Sequence, residues 1–324
     1  MSFNDNTGLV TALQNGEVDW AQAWITNVDS AFLNRDPDHN RQWTPAGLGI
    51  DAMFVNTTRP PFDNVAFRQA VNMVIDRDAH REIAREGGGV PALTSVTGLP
   101  SPAGDAFVAP EFQGATFEVD VEGAKAILTE AGYTGVGEAL VDPQGNPVTF
   151  TLSVPQGWSD YVTGSSLIVD AVAALGVTAT LETPDADTWW ANRSNGNFDA
   201  ILHWTDTGST PWDIFDNTMG GRWLQPIGEG AHYNFGRFEH PEVDGFLTTF
   251  ANATTAEDRE AALVELQRIF VEQVPVMPIG TRPFIISFNT RNYVGWPDED
   301  NPYIVSDFTQ PWLSMVLKNL TPAG

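Results

Sequence analysis

Cysteine is absent from the 324 residues, which excludes disulfides, thiolate metal sites and a cysteine nucleophile. Lysine is nearly absent, with Lys125 and Lys318 alone. Sixteen basic residues face 42 acidic ones, a formal net charge of −26. Such a surface repels phosphate backbones and anionic lipids, which argues against nucleic acid or a membrane surface as a partner. No run of 18 apolar residues occurs, so no membrane-spanning helix is expected. The stretch "MSFNDNTGLV" has neither a basic n-region nor an apolar h-region, so no signal peptide is expected within this chain. The five histidines (His39, His80, His203, His232 and His240) show no HExxH or paired helical spacing. No G-x-G-x-x-G follows a strand either, so neither a metal nor an organic cofactor is expected.

What remains is a folded composition, 42% hydrophobic and 18% charged, long enough for more than one lobe. The pattern predicts a helix over "TGLVTALQNG" with Thr7 as its cap, a short strand at "VDWA", and a strand at "GIDAMFVNTT". Pro60 and Pro61 then hold the chain extended. Asp63 is expected to cap a helix with Ala66, Ala70, Met73 and Val74 on one stripe, stopped by Gly87-Gly88-Gly89. "DVEGAKAILTEAGY" reads as a capped helix and "ALVDPQGNPVTFTLSV" as a hairpin. Helix and strand alternate from "DYVTGSSLIVDAVAALG" through "VTATLE" and "DADTWWANRSNG" to "FDAILHW", which indicates an α/β layer architecture. Thr254 with Glu257 forms a capping box ahead of a last long helix.

The order of these segments resembles a known family. "FVNTTRPPFDNVAFRQAVNMVIDRDA" carries Asn56, Pro61, Phe62, Asp63, Arg68, Ala70, Asp76 and Arg77 at the signature spacing of family 5 extracellular solute-binding proteins of ABC importers. "AKAILTEAGY", "DPQGNPVTFTL", "NGNFDAILHW" and "LQRIFVEQVPVMPI" follow in family order. The resemblance implies a class II, two-lobed periplasmic-binding-protein-like α/β fold. Residues 1–50 would then belong to lobe I, 51–280 to a complete lobe II, and 281–324 to the return into lobe I. The first lobe would be partial, since the chain resembles a longer protein that begins earlier. Crossovers near Met53–Asn56 and Ile279–Ile285 would act as a hinge. The resemblance further implies a non-catalytic monomer, periplasmic or extracellular, lipid-tethered in full-length form, that delivers its ligand to permease subunits.

Peptide-binding members carry an acidic "DY-x-D-P" where this chain has "FDAILHWTDTGSTPWDIF". "YVGWPDEDNPY" and "VPQGWSDY" resemble the oligosaccharide-binding branch instead. Sugars offer flat C–H faces rimmed by hydroxyls, so their sites combine aromatic platforms with amide and carboxylate partners. Eleven tryptophans against five tyrosines fit that chemistry. Trp204, ending a predicted strand, is expected as a stacking platform with Asp206 beside it. Trp158, Trp223, Trp189, Trp20 and Asn234 complete the expected ligand contacts. Only one of Trp189 and Trp190 is expected to reach a cleft, and Trp43 and Trp312 are expected to be structural. Two alternatives stay open: an oligopeptide binder of the same fold, and a glycoside hydrolase, since tryptophans and carboxylates serve both.

Overall fold

The computed structural model describes residues 5–22, 24–45, 47–87, 91–282, 284–305 and 313–324. Ten strands are assigned among them: β1 (Trp20–Ala21), β2 (Asn40–Trp43), β3 (Ile50–Val55), β4 (Thr149–Ser153), β5 (Thr178–Glu182), β6 (Ala200–Trp204), β7 (Val276–Thr281), β8 (Ile286–Asn289), β9 (Tyr293–Val294) and β10 (Thr321–Pro322). The largest sheet has the order β5-β4-β6-β3-β7, and a three-stranded sheet has the order β1-β8-β2. β9 and β10 form a separate antiparallel pair.

The large sheet is mixed. β4 runs parallel to β5 and β6, whereas β3 is antiparallel to both β6 and β7. β4, β6 and β7 therefore all end at the edge where β3 begins. All six side chains of β3 are buried, as a central strand covered on both faces requires. Side chains alternate between the faces. Met53 and Val55 join one cluster with Phe67, Val71, Phe150 and Ile168, while Ala52 and Phe54 join another with Trp189, Phe215, Phe235 and Phe270.

Local chemistry accounts for most elements, with caps displaced by a residue or two from the expected ones. The Asn6–Gln14 helix is capped by Asp5, not Thr7. Asn64, not Asp63, is the extended residue whose side chain accepts from Ala66 N and Phe67 N at the start of the Val65–Val74 helix. Thr255, not Thr254, accepts from Asp258 N at the start of the Ala256–Gln273 helix. The helix after Pro61 also stops earlier than Gly87. Ile75 turns extended, and Asp76 caps a new short helix, Arg77–Ala79. A wider turn over His80–Ala84 then closes with Arg85 N donating to His80 O. Gly88, Gly89 and Trp312 lie outside the described residues. The expected hairpin reduces to single bridges, Val141 to Thr134 and to Pro147.

The chain leaves the three-stranded sheet at Trp43 and enters the large one at Ile50. It returns between Thr281 and Ile286. Met53–Val55 lies inside a fully buried central strand, so the first connection is residues 44–49, not Met53–Asn56. The two connections touch each other, with Arg282 N donating to Gly49 O at 2.9 Å.

Candidate functional site

The edge where β4, β6 and β7 end and β3 begins gathers the chemistry, as strand ends in α/β sheets do. Register sets the neighbours: Asp51 of β3 sits opposite Trp204 of β6 and Gly280 of β7. Arg282 follows one residue beyond β7. The loop after β4 supplies Trp158, and the Ser159–Ala173 helix begins with Asp160 and Tyr161.

Beneath the surface these residues form a closed ionic network. Arg85 Nη2 donates to Asp51 Oδ2 at 2.7 Å, and Arg85 Nη1 donates to Asp160 Oδ2. The three side chains are only 5–7% exposed. Tyr161 Oη donates to the other Asp51 oxygen at 2.6 Å, and Arg282 stands 3.5 Å from that oxygen. Burial by itself would lower the Arg85 guanidinium, but Asp160 and Asp51 outweigh it and raise it above its ordinary value. Burial, then the charge of Asp51, pushes the Tyr161 phenol well up, so it stays a donor. Burial also lowers His80 to about 3, with Arg85 acting in the same direction. The network is self-compensated: two carboxylates meet two guanidiniums, and the neighbouring imidazole stays neutral.

Above the network lies a cavity of about 150 Å³. Its aromatic lining is Trp24, from the segment after β1, with Trp158, Tyr161 and Trp204. Asn6 and Gln22 contribute amides, and the Gln22 side-chain carbonyl is buried without a hydrogen-bond partner. A second hollow of about 310 Å³ shares Trp24 and Ile285 with it and extends past Asn34, Gln42 and Glu86. Trp24 and Gln22 flank the three-stranded sheet while Trp158 and Trp204 belong to the large one, so both sheets contribute to one cleft.

Of the expected contacts, Trp204 and Trp158 meet in this cleft, ring centroids 5.8 Å apart. The others lie elsewhere. Trp189 is fully buried and its Nε1 donates to Ser153 O at 3.0 Å. It is a core residue, and the half-buried member of the pair is Trp190. Asn234 is 1% exposed. Its amide donates to Phe238 O and accepts from Phe238 N, holding a turn at φ 45°, so it has no reach to a ligand. Trp223 donates to Asp216 Oδ2 at 2.9 Å and packs on His232 and Tyr233. Trp20 meets Trp296 edge-on in the cluster under β8, where Trp43 also packs. The Asp206 backbone N–H donates to Asn217 Oδ1, and Asp206 does not line the cleft cavity.

Arg85, Asp51, Tyr161, Arg282, Trp24 and Gln22 were not among the expected contacts. One signal for them is visible in "GIDAMFVN". A carboxylate inside an otherwise apolar central strand requires a buried cationic partner.

Comparison with known proteins places these features in context. The model of the bacterial extracellular solute-binding proteins, family 5 middle, matches residues 1–223. Heme-binding protein A of Haemophilus influenzae is 27% identical over 237 residues, which span 72% of this chain and 39% of that protein. The periplasmic murein peptide-binding protein MppA of Escherichia coli is 27% identical over 291 residues, 86% of this chain and 48% of its own. The chain thus spans less than half the length of these relatives. Among solved structures, a mannohexaose-bound periplasmic oligopeptide-binding protein of Thermotoga maritima superposes with a TM-score of 0.88 at 22% identity, over 99% of this chain and 61% of that one. The periplasmic EDTA-binding protein EppA superposes with a TM-score of 0.71 at 25% identity, over 90% and 53%. The fold is the mixed α/β architecture of class II periplasmic binding proteins.

Proposed function

From the premise that this chain belongs to the family 5 bacterial extracellular solute-binding proteins, we propose that it binds an uncharged oligosaccharide in the cleft between its two sheets. It then hands the ligand to the permease of an ABC importer. The observation that carries this reading is the pairing of charges under an aromatic floor. Among the described residues the one carboxylate lining the cavity, Asp160, is already held by Arg85. A peptide's amino terminus needs an unpaired carboxylate, and none lines this cavity among the described residues. Aromatic rings and amides suit a sugar's C–H faces and hydroxyls.

The same pairing counts against a glycosidase, which needs two free carboxyl groups flanking the scissile bond. Residues 44–49 and 282–285 are the two connections across which the sheets would close on the ligand, as hinged binding proteins do. The proposed lobe boundaries therefore fall there, with the large sheet as lobe II and the small sheets as part of lobe I. Action outside the cytoplasmic membrane, as a tethered monomer, completes the proposal. No helix among the described residues is long and apolar enough to cross a membrane.

Isothermal titration with cello-, xylo- and manno-oligosaccharides against tri- to pentapeptides tests it. Saturable binding of one sugar series is expected. Binding of peptides alone would replace the ligand class, and release of shorter labelled sugars would replace binding by catalysis.

A further inference from the structure

Trp204 lies inside a layered stack. His203 packs on it with centroids 4.2 Å apart and planes 17° from parallel, and Trp189 stacks behind His203 at 5.7 Å and 11°. On the cleft side the Arg282 guanidinium carbon sits 3.8 Å from the Trp204 centroid. Two groups this close leave little of the indole open to a ligand, and Arg282, whose side chain is 22% exposed, lines the cavity beside it.

Arg282 is held in that position. Its backbone N–H donates to Gly49 O, and Nη1 reaches Tyr161 Oη at 3.4 Å. Nη1 also stands 3.5 Å from Asp51 Oδ1; among the described residues Nε and Nη2 make no hydrogen bond, which leaves these donors for a ligand. Gln22 lines the same cavity with the opposite need, since its buried side-chain carbonyl has no donor. A carboxylate ligand could satisfy Arg282 but would offer Gln22 nothing. A hydroxyl both accepts and donates, and two adjacent hydroxyls match a planar fork.

We infer that Arg282 is a ligand-contacting, specificity-determining residue: its guanidinium receives a vicinal pair of sugar hydroxyls while Gln22 accepts from a hydroxyl, and Trp204 backs Arg282 instead of meeting the sugar face-on. This rests on the oligosaccharide reading above. Because Arg282 belongs to the connection between β7 and β8, the contact also places the ligand directly on the segment that moves when the sheets close.

The test compares wild type, Arg282→Lys, Arg282→Met and Gln22→Leu by calorimetry with cellotetraose, mannotetraose and trigalacturonate, together with melting curves. The wild type should bind a neutral tetrasaccharide in preference to trigalacturonate. Both Arg282 variants should lose at least about tenfold in affinity, Arg282→Lys included because it keeps the charge but not the fork. Gln22→Leu should weaken the same sugar. Unchanged affinity with a lowered melting point would make Arg282 purely structural and overturn the inference. Tighter binding by Arg282→Met would show that Arg282 merely covers Trp204, and preference for trigalacturonate would replace the diol by a carboxylate. A wild type that binds none of the sugars removes the oligosaccharide reading itself, whereas sugar binding that survives all three substitutions removes only this inference.

Discussion

Arg85 and Asp51 meet at 2.7 Å across 34 residues of chain, both nearly inaccessible to water, with Asp160 on the other arm of the same guanidinium. Arg85→Met would leave buried Asp160 without its cation and Asp51 with Arg282 alone, 3.5 Å away. Removing one partner from a buried ionic group costs roughly 3–5 kcal/mol, so this substitution should be among the most destabilising single changes in the protein. Urea denaturation measures it. A cost under about 1 kcal/mol would mean that Asp51 and Asp160 are solvated or protonated without Arg85.

Gly164 belongs to the Ser159–Ala173 helix, where an added Cβ would lie 2.3 Å from His80 Nε2 and 2.6 Å from its Cδ2. His80 is itself buried and has little room to withdraw. Gly164→Ala should therefore destabilise by about 1–3 kcal/mol through overpacking, despite alanine's better helix propensity. An increase in melting temperature would show that the imidazole turns aside freely.

Trp204 and Trp189 separate two consequences of one stack. Trp189→Ala removes a fully buried ring and should cost about 3–5 kcal/mol, with the folded protein's sugar affinity nearly unchanged. Trp204→Ala removes a half-buried ring that supports Arg282, so affinity should drop more than tenfold with a smaller loss of stability. Paired thermal melts and titrations distinguish them, and equal effects on affinity would contradict the layered arrangement.

Asp213 has its carboxyl raised to about 6 by burial and then by the charges of Asp206 and Asp216. Its ordinary value is 3.8, so between about pH 4 and 6 the folded protein holds a proton that the unfolded chain releases. Stability then falls as pH rises through that window. Asp213→Asn should raise the melting temperature at pH 7 and leave it little changed below about pH 4. The same gain at both pH values would sever the effect from this titration.

Limited proteolysis checks the proposed lobe boundaries. Cleavage should concentrate at residues 44–49 and 282–285 and leave the large-sheet segment between them intact. Resistance at both connections with early cuts inside β3 to β7 would refute that division.

The order of helices and strands was legible in the sequence because its causes are local. Asn64 and Thr255 cap within one residue of the expected positions, Gly196 ends the Ala186–Asn195 helix in a left-handed conformation, and the apolar "AMFV" announces a strand. The family spacing through Pro61, Phe62 and Arg68 was legible for the same reason. The cleft was only half legible. Trp204 and Trp158 were expected there, but nothing local separates them from Trp189, Trp223 or Trp20, because burial of an indole depends on what packs over it from distant segments. Of the ionic network only the need of Asp51 for a cation was legible, for a stronger reason: Arg85, Asp51, Asp160 and Arg282 become neighbours only through the register of β3 with β6 and β7 and the placement of one helix. Sequence determines each charge and each ring, but a charge becomes harmless or available only once its partner is chosen. That choice is made by strand pairing and packing between segments distant in the chain.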